Sequence, residues 1–265
     1  MTSSFWDSGA GRGLNTIILF GLLLIVWEVC VRAFDIKPFL LPAPSVVFAD
    51  IIKRPTWYLY HAYYTLLETF FGFALAVCIG VVMAVGVVYS RIIERTLYTI
   101  LITLNAVPKI AVAPLFIIWL GTDLSPKIAI AMLVALFPIV IDTVLGLRSV
   151  DPEMLDMARS LKASRLQILW KIRAPCALPS LFAGLKVGIS LAFIGAIVGE
   201  FIAAQNGLGF IVVSAQATFD TTPMFAAILL LALLGLFLFY LIEFLESVLL
   251  PWHVSRRRLM ETTHG

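Results

Sequence analysis

Apolar residues fall along this chain in long blocks separated by short polar stretches. A helix crossing the ~30 Å hydrocarbon layer needs ~20 mostly apolar residues. Six blocks meet that length, roughly residues 14–33, 65–89, 96–120, 128–147, 179–203 and 223–249. Backbone groups in lipid must find partners within their own segment, so these blocks are expected to be helices. The pattern predicts an all-α, multi-pass membrane protein of about six transmembrane helices, organised as one domain over residues 1–265. The first block (Leu14 to about Val31) exceeds the ~7–15 residues of a signal-peptide core and lacks a small-x-small site after it, so it is expected to be a retained span.

Two connections are unusual. Residues 34–64 contain "LLPAPSVVFADIIKR", where Pro42 and Pro44 preclude an earlier helix start. Ser45 is expected to cap a short helix lying along the membrane surface. Residues 204–222 are too polar at their ends to span and are expected as a re-entrant or surface segment.

Composition removes the soluble alternatives. The chain is 61% hydrophobic and 13% charged, with a mean hydropathy of +1.02, against about 25% charged residues in a soluble domain. The net charge of +3 says less than its placement. With the N-terminus inside, twelve basic residues fall on the cytoplasmic side, among them Arg12, Arg91, Arg95, Arg148 and Arg256–Arg258. Five fall opposite, namely Arg32, Lys37, Lys53, Arg54 and Lys127, which predicts cytoplasmic N- and C-termini. Cys30, Cys78 and Cys176 are isolated in apolar surroundings and predict neither a disulfide framework nor a metal site.

Ionisable groups inside spans cost about 2.5–3.5 kcal/mol each on insertion scales, so each needs a reason. Glu28 and Lys186 lie near span ends, where snorkelling is expected. Asp142 is close to the cytoplasmic end of the fourth span. Glu68 and Glu200 sit deeper, towards the outer side; they either pair across a helix interface or line a translocation path. In the third span, Pro108 and Pro114 with Lys109 predict a broken helix lining a pathway. Gly184xxxGly188 and Gly195xxxGly199 allow close helix approach in the fifth.

The densest charge lies between spans four and five, at 148–178. Asp151-Pro152-Glu153 is a strong helix start: an N-cap, a proline at the first position and an acid in the first turn. Met154, Met157, Ala158 and Leu161 form one apolar stripe, while Glu153, Asp156, Arg159, Arg165 and Lys171 take the other faces. Ser164 with Gln167 fits a capping box for a second helix, expected to end at Pro175 and Pro179, with a break near Lys162–Ala163. Such a stripe suits either a lipid surface or a groove on a soluble partner.

This loop resembles the cytoplasmic signature of binding-protein-dependent ABC importer permeases. Asp156-Met157-Ala158 falls on its Glu-Ala-Ala, Lys162 on its glycine, Ile172 on its isoleucine and Ala174-Pro175 on its Leu-Pro. Lys162 is the departure, since glycine serves the turn between the two helices. "LPAPS", "VPKIAVAPLFIIWLGT", "LRSVDPEM" and "GEFIAAQNGLGFIV" extend the likeness over about residues 38–250 and are similar to the nitrate, sulfonate and taurine branch. The resemblance implies a permease subunit in a bacterial inner membrane. It also implies two ABC ATPase subunits below, a second and identical permease, and an extracytoplasmic substrate-binding protein. The coupling residues it implies are Glu153, Met154, Asp156, Met157, Ala158, Arg159, Leu161 and Lys162, and the cargo a small anionic solute such as a sulfonate or nitrate.

No GxxxxGK[ST] phosphate loop, HExxH or nucleophile elbow is present. ATP and Mg2+ are therefore expected on a separate ATPase, with no cofactor in this chain and no nucleic-acid partner. An ion-coupled secondary transporter using Glu68, Lys109 and Glu200 is the alternative. An intramembrane enzyme lacks a catalytic constellation here, and the coupling subunits of vitamin transporters carry different signature loops.

Overall fold

A computed structural model describes residues 9–106, 108–203 and 205–251, and its regular structure is helical throughout those residues. In chain order the helices are α1 (Gly9–Ala33), α2 (Pro44–Lys53), α3 (Pro55–Tyr89), α4 (Arg91–Ala106), α5 (Lys109–Leu120) and α6 (Leu124–Arg148). They continue as α7 (Pro152–Ser160), α8 (Arg165–Ile168), a π turn (Leu169–Arg173), α9 (Ala174–Ala203), α10 (Leu208–Ala217) and α11 (Thr221–Leu249). Among the described residues α3, α6, the run containing α9, and α11 are long and apolar enough to cross a membrane, and α5 is a shorter apolar helix. Arg256, Arg257 and Arg258 lie outside the described residues.

Helix α6 is the spindle of the bundle, packed between α3 and α9. Small residues make that closeness possible. A Cβ on Gly195 would come 2.8 Å from Ala131 Cα, and one on Gly188 would come 2.8 Å from Ile139 Cγ1. Gly72 and Gly80 of α3 meet the same two residues of α6 from the other side. In lipid there is no hydrophobic gain from helix pairing, so this contact depends on backbones approaching closely enough for dense packing. Gly184 and Gly199 extend the α9 seam against Asp142 and Lys127. A second cluster, with Phe182, Ile189, Phe193, Leu231 and Leu238, seats α11 on α9.

Several boundaries differ from expectation. Helix α3 begins ten residues before the expected span, and its added turns bury Tyr58 and the polar His61. The third span is divided at Pro108, which precedes α5 with φ −61° and ψ 97°. Pro114, in contrast, is held inside α5 without a break. Pro175 and Pro179 do not end the second loop helix; the chain continues from α8 into α9. The π turn explains this, since the Ala174 N–H bonds the Leu169 carbonyl five residues back and the widened turn accommodates the proline that follows.

Ser45 is not the cap of α2. That helix starts at Pro44, with Ala43 before it. Glu28 of α1 accepts from the Ser45 N–H at 3.0 Å and from its hydroxyl at 2.8 Å, so a span-end carboxylate ties α1 to α2 instead of snorkelling. Lys186 likewise pairs with Glu246 of α11.

Candidate functional site

Two constructions occupy opposite ends of the bundle. The first is built on α7 and α8. Asp151 accepts the Glu153 N–H at 2.9 Å with Pro152 behind it, which starts α7. Ser164 and Gln167 exchange side-chain and backbone hydrogen bonds at 3.2 and 2.7 Å, a complete capping box starting α8. Between them Lys162 takes φ +57°. The Ala163 N–H reaches the Ala158 carbonyl at 3.0 Å and the Lys162 N–H reaches Arg159 at 2.9 Å. This is the left-handed closure that usually calls for glycine, so Lys162 makes the turn at the position where the signature has glycine.

The turn folds α8 back beside α7. Met154, Met157 and Leu161 are 47%, 63% and 73% exposed. With Ala158, Ile168, Lys171 and Ile172 they line an apolar cleft of about 340 Å³. Ala158 is buried at its base. Asp156 and Arg159 pair at 2.8 Å on the exposed outer face, where such a pair contributes little stability. The segment formed by α8 and the π turn is anchored behind the cleft. Tyr89 donates to the Arg165 carbonyl at 3.0 Å, and Arg173 donates to the Leu147 carbonyl at 2.9 Å.

The second construction is a buried polar cluster at the far end. Glu200 of α9 is 1% exposed and accepts on both oxygens, from the Thr65 hydroxyl at 2.6 Å and the Gly209 N–H at 2.6 Å. Thr65 also accepts the Leu208 N–H at 2.9 Å, and His61 Nδ1 accepts the Gly207 N–H at 3.1 Å. Three successive amides at the start of α10 are thus satisfied by α3 and α9. An anionic group at a helix N-terminus also gains from the helix dipole. Gly207 has φ +110°, and a Cβ there would collide with the Glu200 carboxyl group; one on Gly209 would come 2.6 Å from Glu200 Oε2. The two glycines of "NGLGF" are therefore the space into which Glu200 fits.

Beside this clamp, Lys127 Nζ lies 3.1 Å from Glu68 Oε1, with side chains 4% and 0% exposed. The contact is out of line for a hydrogen bond, and neither Glu68 oxygen has a hydrogen-bond partner among the described residues. Lys127 also forms part of a polar cavity of about 490 Å³ with Tyr64, Thr122, Asp123, Ser125 and Asn206.

Glu68 and Glu200 come together, while Pro108, Lys109 and Pro114 stand apart on α5 and its start, where Pro108 and Pro114 are exposed. Lys127 was expected in an outer connection and is instead a buried residue of α6. Asp123-Leu-Ser-Pro126 is a helix-start pattern from which Lys127 could have been placed within α6. Thr65, His61, Gly207 and Gly209 carried no warning on their own.

Residues 76–249 match the family described as "Binding-protein-dependent transport system inner membrane component". The chain is 33% identical to the formylaminopyrimidine transport permease protein ThiX of Halalkalibacterium halodurans, over 91% of this chain and 96% of that one. It is 38% identical to the riboflavin transport system permease protein RibX of Chloroflexus aurantiacus, over 88% of each. It is 30% identical to the taurine transport system permease protein TauC of Escherichia coli, over 88% and 87%. A solved structure of the MetNI methionine ABC transporter in inward-facing form superposes with a TM-score of 0.55 at 22% identity, covering 76% of this chain and 91% of that one. That likeness confirms the helical permease fold.

Proposed function

The chain belongs to the binding-protein-dependent transport system inner membrane components, and from that premise we propose that α7 and α8 are the docking element through which separate ABC ATPase subunits drive its motion. It is a transport permease of the ABC importer type and not an enzyme. The observation carrying the docking reading is the apolar cleft beyond the end of the spans, walled by exposed Met154, Met157 and Leu161. Unpaired apolar side chains projecting from a short, well-capped helix suit a groove on a soluble partner.

In this reading the α7 end faces the cytoplasm, as do both termini. Glu153, Asp156, Arg159 and Lys162 frame the contact, and Met154, Met157, Ala158 and Leu161 fill it. Two ATPase subunits, holding ATP and Mg2+, close on one another and move the cleft. Two permease copies alternate access to a path between them, and an extracytoplasmic binding protein delivers the solute to the α10 end. The cargo is a small polar solute of the kind named for the relatives, a sulfonate such as taurine or a nitrogen heterocycle. Pro108, which precedes α5, and Lys109 and Pro114 within it are the proposed path residues. Glu68 and Glu200 are assigned to holding helices together, Glu200 through the clamp and Glu68 through its buried pairing with Lys127 beside it.

The test is co-expression with the cognate ATPase and reconstitution in liposomes. Met157→Glu should release the ATPase and abolish ATP-driven uptake across a panel of taurine, formylaminopyrimidine and riboflavin. Uptake that survives the substitution, or that collapses with an ionophore while ATP is present, would sink the proposal.

A further inference from the structure

Behind the cleft, three helix ends converge on one short segment. The α8–π stretch, residues 165–173, is held at its beginning by α3: the Tyr89 hydroxyl donates to the Arg165 carbonyl at 3.0 Å. It is held at its finish by α6: Arg173 Nη1 donates to the Leu147 carbonyl at 2.9 Å, one of the helix-terminal acceptors with no partner inside α6. The two grips touch each other, with the Arg173 guanidinium 6.0 Å from the centre of the Tyr89 ring. Between them Leu169 packs against the cluster of Val87, Val140, Val144 and Ala177, where α3, α6 and α9 meet. On its other face the same stretch presents Ile168, Lys171 and Ile172 to the cleft.

A force on the cleft could travel along the backbone into α9 alone. That route is weakened at once by the π turn, which leaves wider and less regular hydrogen bonding just before Pro175. The side-chain grips bypass it. We propose that Tyr89 and Arg173 are positioning residues for transport: they lock the 165–173 wall of the cleft to the ends of α3 and α6, so that the partner's closure moves three spans as one body. The inference rests on the docking reading above and adds the residues that transmit the motion.

The experiment uses the full complex with its co-expressed ATPase, in which Cys30, Cys78 and Cys176 are replaced by serine. A spin label is placed at Thr122→Cys, near the opposite end of the bundle. Two readings are taken: the ATPase rate, and the change in label-to-label distance between the nucleotide-free and the ATP–vanadate-trapped states. Tyr89→Phe and Arg173→Gln should leave the ATPase rate within about twofold. The distance change should shrink at least threefold, and taurine, formylaminopyrimidine or riboflavin uptake per ATP should fall with it. Arg173→Lys, which can still donate to the Leu147 carbonyl, should restore about half of the movement. Variants that keep the full distance change overturn the inference, as do variants that lose ATPase assembly and movement in equal measure. Failure of the unsubstituted chain to bind any ATPase would instead overturn the docking reading itself.

Discussion

Thr65 and Thr69 offer a controlled comparison within one helix. Both are fully buried on α3, and Thr→Val changes each by the same atoms. Thr69 only returns its hydroxyl to the Thr65 carbonyl at 2.7 Å, an acceptor already used by the helix, so Thr69→Val should cost under about 1 kcal/mol. Thr65 has a different position. Its one proton goes to Glu200 Oε1 at 2.6 Å in preference to the His61 carbonyl at 3.3 Å, and its lone pair takes the Leu208 N–H. Valine would delete a hydrogen bond to a charged group, about 1.5–3 kcal/mol, and leave a buried N–H unpaired, about 1–3 kcal/mol. Thr65→Val should therefore destabilise by about 3–5 kcal/mol, and Thr65→Ser should recover most of it. Equilibrium unfolding in mixed micelles of rising sodium dodecyl sulfate fraction, followed by circular dichroism, measures the difference. Equal losses for the two valine variants, or a serine variant as weak as Thr65→Val, would show that the clamp does not hold α10 in place.

Three further outcomes follow from the same geometry. Lys127→Met should destabilise by about 3–5 kcal/mol, because it strands the Glu68 carboxyl in the interior, and adding Glu68→Leu should return much of that loss in the same unfolding assay. Lys162→Gly should shift stability by less than about 1 kcal/mol while keeping ATPase binding. Relief of a left-handed residue, about 1–2 kcal/mol, is offset by glycine's unfolded-state entropy and by loss of a cation at the α7 C-terminus. Lys162→Val should open the turn and release the ATPase in a pull-down. Gly72→Ala places a Cβ 2.5 Å from that of Ala131 and should lower the melting temperature in detergent, whereas Gly86→Ala, 3.5 Å from its nearest neighbour, should not.

Much of the architecture could be read from the chain because lipid imposes a length rule on apolar blocks. Asp151-Pro152 and Ser164…Gln167 were equally legible, since a helix start needs its cap within three residues. What the pattern hid was cooperative over distance. Glu68 and Glu200 stood out as carboxyl groups inside spans, but His61 and Thr65 look like a polar approach to one until Glu200 and the α10 amides, more than 130 residues away, are brought against them. The π turn escaped notice because proline ordinarily marks a helix end, and only the packing of Leu169 against α3 and α6 makes continuation worthwhile. Glu28 was expected to snorkel because its partner, Ser45, lies beyond three prolines, Pro38, Pro42 and Pro44.

The clamp also orders events during biogenesis. Helix α10 has ten residues, far too few to cross the bilayer by itself, and its first amides find their acceptors on α3 and α9. Thr65 emerges from the ribosome 143 residues before Leu208, so α3 must wait in the membrane, its polar face uncompensated, until α9 has been inserted beside it. Docking of α10 then becomes a late, all-or-none step. A chain that mis-inserts α9 would leave Thr65, His61 and an open helix N-terminus exposed together, a ready mark by which membrane quality control could separate it from one correctly built.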